Sequence, residues 1–151
     1  MTAQHPPIDD PDLGLLTRAE STFDDGTVAV HDWYAGRIDL DGDDVELMID
    51  GPDVDDVRAR LPRLRAIVAD LDGIRRRTSD AIVTQFSDVE PTPNELAGAA
   101  VDLRLEAIEA AADGELVLHF VDTCGEHFPD GYWPAAHLDA DGAVTSVTVE
   151  S

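Results

Sequence analysis

One stretch near the end of the chain gathers the side chains best suited to chemistry. It is residues 122–133, Asp-Thr-Cys-Gly-Glu-His-Phe-Pro-Asp-Gly-Tyr-Trp. It holds the only cysteine, Cys124, with His127 three residues on and Asp122 and Glu126 beside them. His119 and His137 flank it. Zinc accepts sulfur, nitrogen and oxygen donors in tetrahedral geometry. Cys124, His127, His119 and His137 are therefore the candidate ligands if the flanking segments pair. Neither C-x-x-C nor H-E-x-x-H spacing is present, so no metal is assigned and no cofactor is expected. A second chemistry is nucleophilic attack by Cys124 with His127 as base, which also needs donors for an oxyanion. Acidic surroundings raise a thiol pKa and weaken it as a nucleophile. A lone cysteine is more often a small buried apolar residue. No catalytic residue is assigned, and the reading leans away from an enzyme. A third use is binding. Phe128, Tyr132 and Trp133, set among Asp122, Glu126, His127 and Asp130, suit a partner with a basic, partly apolar face, because interfaces favour aromatic anchors. Core packing is expected to take at least two of the three rings.

The charge supports a basic partner. The 151 residues carry 33 acids against ten Arg and no Lys, a formal net charge of −23. That disfavours nucleic acid and anionic membranes, whose phosphates would be repelled. Seven of the ten Arg lie at positions 58–77. Asp56 with Arg60, and Asp72 with Arg76, are four apart and are read as helix pairs. Codon bias of a GC-rich genome and adaptation to salt both explain the Asp richness. Asp-Gly turns near residues 41–42 and 141–142 lack the twelve-residue calcium loop. No signal peptide and no run of apolar residues of membrane-spanning length is read. One cysteine forms no internal disulfide. The chain is expected to be cytoplasmic.

These side chains must be held by a scaffold, and its elements are legible. Residues 1–12, with Pro6, Pro7 and Pro11, are read as a flexible tail, and residues 13–151 as one domain. Residues 13–19 suit an edge strand. Residues 27–40 are rich in β-favouring side chains, with Gly36 marking a bend or bulge. Val45, Leu47 and Ile49 alternate as in a strand. Asp53 caps a helix whose stripe is Val57, Leu61, Leu64, Val68 and Leu71, with a kink or a break expected at Pro62 and an interruption at Gly73. Ile74 to Phe86 suits a second helix. Thr92-Pro-Asn-Glu95 is a capping box for a third. Residues 103–109 are read as a strand, because the hairpin turn Asp113-Gly114 and the alternation of Leu116, Leu118 and Phe120 require one before them. A last hairpin turns at Asp141-Gly142. The order strands, helices, strands gives α+β, a mainly antiparallel sheet with two to three helices on one face.

Three segments in this order resemble a family. They are Tyr34-Ala-Gly-Arg-Ile-Asp-Leu-Asp-Gly-Asp-Asp-Val-Glu-Leu, then Leu71-Asp-Gly-Ile through Phe86, then His137-Leu-Asp-Ala-Asp-Gly-Ala-Val-Thr-Ser-Val-Thr-Val-Glu-Ser. Together they are similar to uncharacterised bacterial cytosolic proteins of domain-of-unknown-function family number 2004. The resemblance implies a closing strand, Asp-Gly turn and strand, and favours a strand at 103–109. It implies no activity and transfers no catalytic residue. Cys124-Gly-Glu-His-Phe-Pro is longer and more aromatic than that family's pattern.

The function expected is a non-catalytic binding protein, with an immunity-type inhibitor of a basic toxin or nuclease as its concrete version. The alternatives are a metal- or cysteine-dependent hydrolase built on Cys124 and His127, and a small-ligand-binding module.

Overall fold

The computed structural model describes residues 6–40, 42–123, 128, 131–139 and 141–150. Within them the chain forms four strands, three helices and four more strands. The strands are β1 (Ile8–Asp10), β2 (Gly14–Thr22), β3 (Val28–Leu40), β4 (Asp43–Asp50), β5 (Leu103–Ala110), β6 (Leu116–Asp122), β7 (Trp133–Leu138) and β8 (Val144–Glu150). The helices are α1 (Val54–Ala69), α2 (Leu71–Gln85) and α3 (Pro93–Asp102). All eight strands lie in one sheet whose spatial order is the chain order. Neighbours run antiparallel except β4 and β5, which are parallel. A parallel pair needs a long crossover, and the three helices supply it. The α+β class holds.

The expectation of helices laid together on one face is corrected. α1 meets β4, α2 meets β7 and β8, and α3 meets β5 but leans mainly on α2. Within the stretch 1–12 read as a tail, Ile8–Asp10 pairs with Leu16–Gly14. Asp10 holds this strand down. Its carboxylate accepts the N–H groups of Asp12 and Leu13, both at 2.9 Å, and pairs with Arg65 of α1.

The helices form where their caps say. Asp53 accepts the Asp56 N–H at 3.0 Å and opens α1. Thr92 accepts the Glu95 N–H at 3.2 Å and opens α3, with Pro93 in its first turn. Pro62 does not break α1, which runs through it. Pro62 is exposed, so its ring meets water rather than core. The break falls at Asp70 instead, and Gly73 lies inside the first turn of α2. The expected pairs are also redistributed. Arg60 donates to the carbonyls of Asp56, Ala111 and Ala112, tying α1 to the β5–β6 turn. Arg76 pairs with Asp80 at 3.0 Å rather than with Asp72.

Alternation along the strands sets the core. Leu47, Ile49, Ile108, Leu118, Phe120 and Leu138 point to one face and join Leu61, Leu64, Ile74 and Ile82 of the helices in a single cluster. Gly36 makes no bulge, since β3 and β4 stay in register across it. It is a close approach: a Cβ there would sit 2.6 Å from Leu16 Cδ2 and 3.0 Å from the Leu15 carbonyl. Among the described residues no helix is long and apolar enough to cross a membrane.

Candidate interaction surface

The segment singled out by its residue types lies between β6 and β7. Cys124, Glu126, His127 and Asp130 lie outside the described residues. Asp122, Phe128, Tyr132 and Trp133 lie within them, and they divide. Asp122 Oδ2 accepts the Phe128 N–H at 3.0 Å. The Phe128 ring meets Phe86 edge-on, with centroids 5.4 Å apart at 85°. Together with Ile82, Val83, Ser87 and Leu103 these two rings line a cavity of about 80 Å³. Phe128 thus meets the end of α2 and the start of β5. Tyr132 is 51% exposed, and Trp133 is half-buried. Of the three rings Tyr132 is the exposed one and Phe128 the one packed on another ring.

His119 and His137 do come together on one sheet face. His119 pairs with Ala135 and His137 with Val117, so the two imidazoles are diagonal neighbours on β6 and β7. They turn to carboxylates rather than to each other. Glu109 Oε1 lies 3.4 Å from His119 Nε2. Glu115 Oε1 lies 2.5 Å from His137 Nδ1, and His137 Nε2 lies 2.9 Å from the Thr148 hydroxyl. The hydrogen bond to His119 is the main force holding the Glu109 carboxyl below its usual range, and the charge of His137 adds to it. Asp50, on the next strand, is pushed the other way, first by burial and then by the negative charge of Glu109. Among the described residues no group of three or more His, Cys, Asp or Glu is arranged to hold a metal. Carboxylate, imidazole and hydroxyl stand in the order Glu115–His137–Thr148, which is the order of a base-activated nucleophile.

A third surface carries no signal in residue type. β4 follows β3 only as far as the pair Trp33–Asp50. Beyond it, where the Asp32 carbonyl accepts the Gly51 N–H at 2.9 Å, Val28, Ala29 and Val30 pair with β2 alone, so this end of the hairpin is a two-stranded ribbon. Val28, Val30 and Phe23 at its tip are 49%, 50% and 55% exposed. Val28 and Val30 share a side, by the period of two along a strand. Glu20, Asp24, Asp25 and Asp32 stand exposed around them. On the opposite side His31 stacks on Trp33 at 4.4 Å and bonds Ser21 at 2.6 Å.

The ribbon is braced at its root. The Arg18 guanidinium donates to the carbonyls of Gly51 and Pro52 and to Asp32 Oδ1, at 2.9, 3.1 and 3.1 Å. It lies 5.8 Å over the Tyr34 ring. Sequence reasoning found the strand at 27–40 but not its unpaired end, because where β4 stops is a matter of register. No family model, curated protein or solved structure matches this chain.

Proposed function

We propose that this chain is a non-catalytic binding protein for a basic partner, with an immunity-type inhibitor as the concrete form. Membership of the bacterial family that it resembles belongs to the same proposal. The observation that carries the reading is the β2–β3 ribbon, with three half-exposed apolar side chains, Phe23, Val28 and Val30, ringed by Glu20, Asp24, Asp25 and Asp32. Apolar anchors supply affinity once water is excluded. A rim of carboxylates steers and selects a cationic face. The net charge of −23 speeds encounter with such a partner.

The test is affinity capture from the protein's own cytoplasm, at low and high salt, with wild type and Val30→Asp. Wild type is expected to retain a basic protein that salt releases and that Val30→Asp fails to hold. Equal retention by Val30→Asp removes the ribbon. Loss with Trp133→Ala instead places docking at the β6–β7 segment.

A second reading is a hydrolase, which the Glu115–His137–Thr148 relay favours. It needs His137 to take the proton of the Thr148 hydroxyl as that oxygen attacks an ester carbonyl carbon, with Glu115 orienting the ring, and to give that proton to the leaving alcohol as the ester C–O bond breaks; water, deprotonated by His137 in turn, then cleaves the acyl-threonine to the acid. An ester-hydrolysing activity abolished by Thr148→Val would support it, and an activity unchanged by that substitution would remove it.

A further inference from the structure

The two edges of the sheet are built differently. At one edge β1 is three residues long, carries Asp9 and lies among Pro6, Pro7 and Pro11, and β2 beyond it shifts register between Arg18 and Glu20. Short strands, prolines, charges and bulges are the devices that keep an edge from pairing. At the other edge, β8 has no strand on its outer side among the described residues. Its residues Val144, Thr145, Ser146, Val147, Thr148 and Val149 carry no charge, in a chain that is 28% charged, and five of the six are β-branched. After one register shift near Val144 the strand is regular to Glu150. Val147 packs against the core, while Ser146 and Thr148 are exposed on the face that bears His137.

We infer that β8 pairs antiparallel with β8 of a second copy, with Val147 opposite its own counterpart. This goes beyond the proposed partner and does not rest on it. In that register Ser146 faces Thr148 of the other copy, and hydroxyl pairs across antiparallel strands are favourable. Val147 meets its own counterpart on the core face, where Val149 falls opposite Thr145. Glu150 falls opposite Val144 rather than opposite another acid. A two-fold axis makes the contact self-complementary and closed, so it yields a dimer and not a fibre. The uncharged edge is where two chains of net charge −23 meet without opposed carboxylates. Their remaining repulsion is long-range and screened by salt. Self-association therefore strengthens with salt, the opposite sign to capture of a basic partner.

Sedimentation equilibrium of the full chain at about 0.15 M and about 1 M salt is the experiment, since the Debye length falls from about 8 to about 3 Å over that range. A dimer whose population rises with salt is expected. Ser146→Glu sets two carboxylates into the contact and is expected to weaken it by about tenfold. Ser146 is exposed, and circular dichroism checks that the variant folds. Thr17→Glu, on β2 at the other edge, is expected to leave the dimer constant unchanged. Hydrogen exchange on wild type supplies a readout free of mutation: amides of β8 gain protection as concentration rises. A monomer at both salt concentrations overturns the inference. So does a dimer that Ser146→Glu leaves intact, one that Thr17→Glu dissolves, or β8 protection independent of concentration.

Discussion

Removing the Asp10 carboxylate tests how the first strand is held. Asp10 is 3% exposed. Its Oδ1 accepts two backbone N–H groups at 2.9 Å, and its Oδ2 accepts from Arg65 Nε at 2.8 Å and from Arg65 Nη2. Asp10→Ala deletes a turn cap, worth about 1 kcal/mol, and a charge-assisted pair, worth about 1.5–3 kcal/mol. Arg65 is 37% exposed and regains water when released, so the full penalty of a stranded buried charge does not apply. The expected loss is about 2–4 kcal/mol, a large share of the roughly 5–15 kcal/mol that holds a domain together.

Asp10→Asn keeps an oxygen for the two N–H groups and is expected to lose about half as much, since it removes only the charged pair. The sign with pH follows from the Asp10 pKa, which the hydrogen bond to Arg65 lowers against the opposing effect of burial. A lowered carboxylate stabilises the fold above its unfolded pKa, and that stability is lost as pH falls through the folded pKa. The gap between wild type and Asp10→Asn should therefore be full at neutral pH and close below about pH 4, the ordinary Asp value. Urea unfolding followed by the fluorescence of Trp33 and Trp133 measures it at each pH. A gap under about 0.5 kcal/mol at neutral pH, the size of an ordinary surface substitution, refutes the argument. A gap that does not shrink on acidification refutes it equally.

Two further outcomes follow from the sheet. Gly36→Ala forces a Cβ to 2.6 Å from Leu16 Cδ2 and 3.0 Å from a backbone carbonyl. It is expected to cost about 1–3 kcal/mol by overpacking, read as a lowered urea midpoint with the slope unchanged. Glu109 is held below its usual pKa chiefly by His119, so its contribution is present above the ordinary Glu value and lost as pH falls through the lowered one. Glu109→Gln should destabilise at neutral pH and match wild type in acid, and a difference independent of pH would show that the His119 pair contributes nothing.

The elements that local chemistry specifies were legible. The capping box at Thr92–Glu95 needs only its own four residues, and it opens α3 as read. The strand at 103–110 follows from a turn that must have a strand before it. At two breakers the surroundings decided: Pro62 is exposed and α1 runs on through it, and β3 stays in register with β4 across Gly36, where Leu16 crosses closely. The Asp72–Arg76 pair had the right spacing, but Asp80 competes for the same guanidinium at the same separation on the other side.

By itself the sequence determined the α+β class, the helix caps, the turns and the net charge, because propensity, capping and net charge depend on near neighbours or on composition. Only the tertiary structure decided the rest. It set β4 beside β5 in parallel, brought His119 and His137 to one face with Glu109 and Glu115, and packed Phe128 against Phe86. It also left the β2–β3 ribbon and the β8 edge unpaired among the described residues. Each of these depends on strand register between residues far apart in the chain. A shift of one residue would turn every side chain to the opposite face, and no short window of sequence carries that choice.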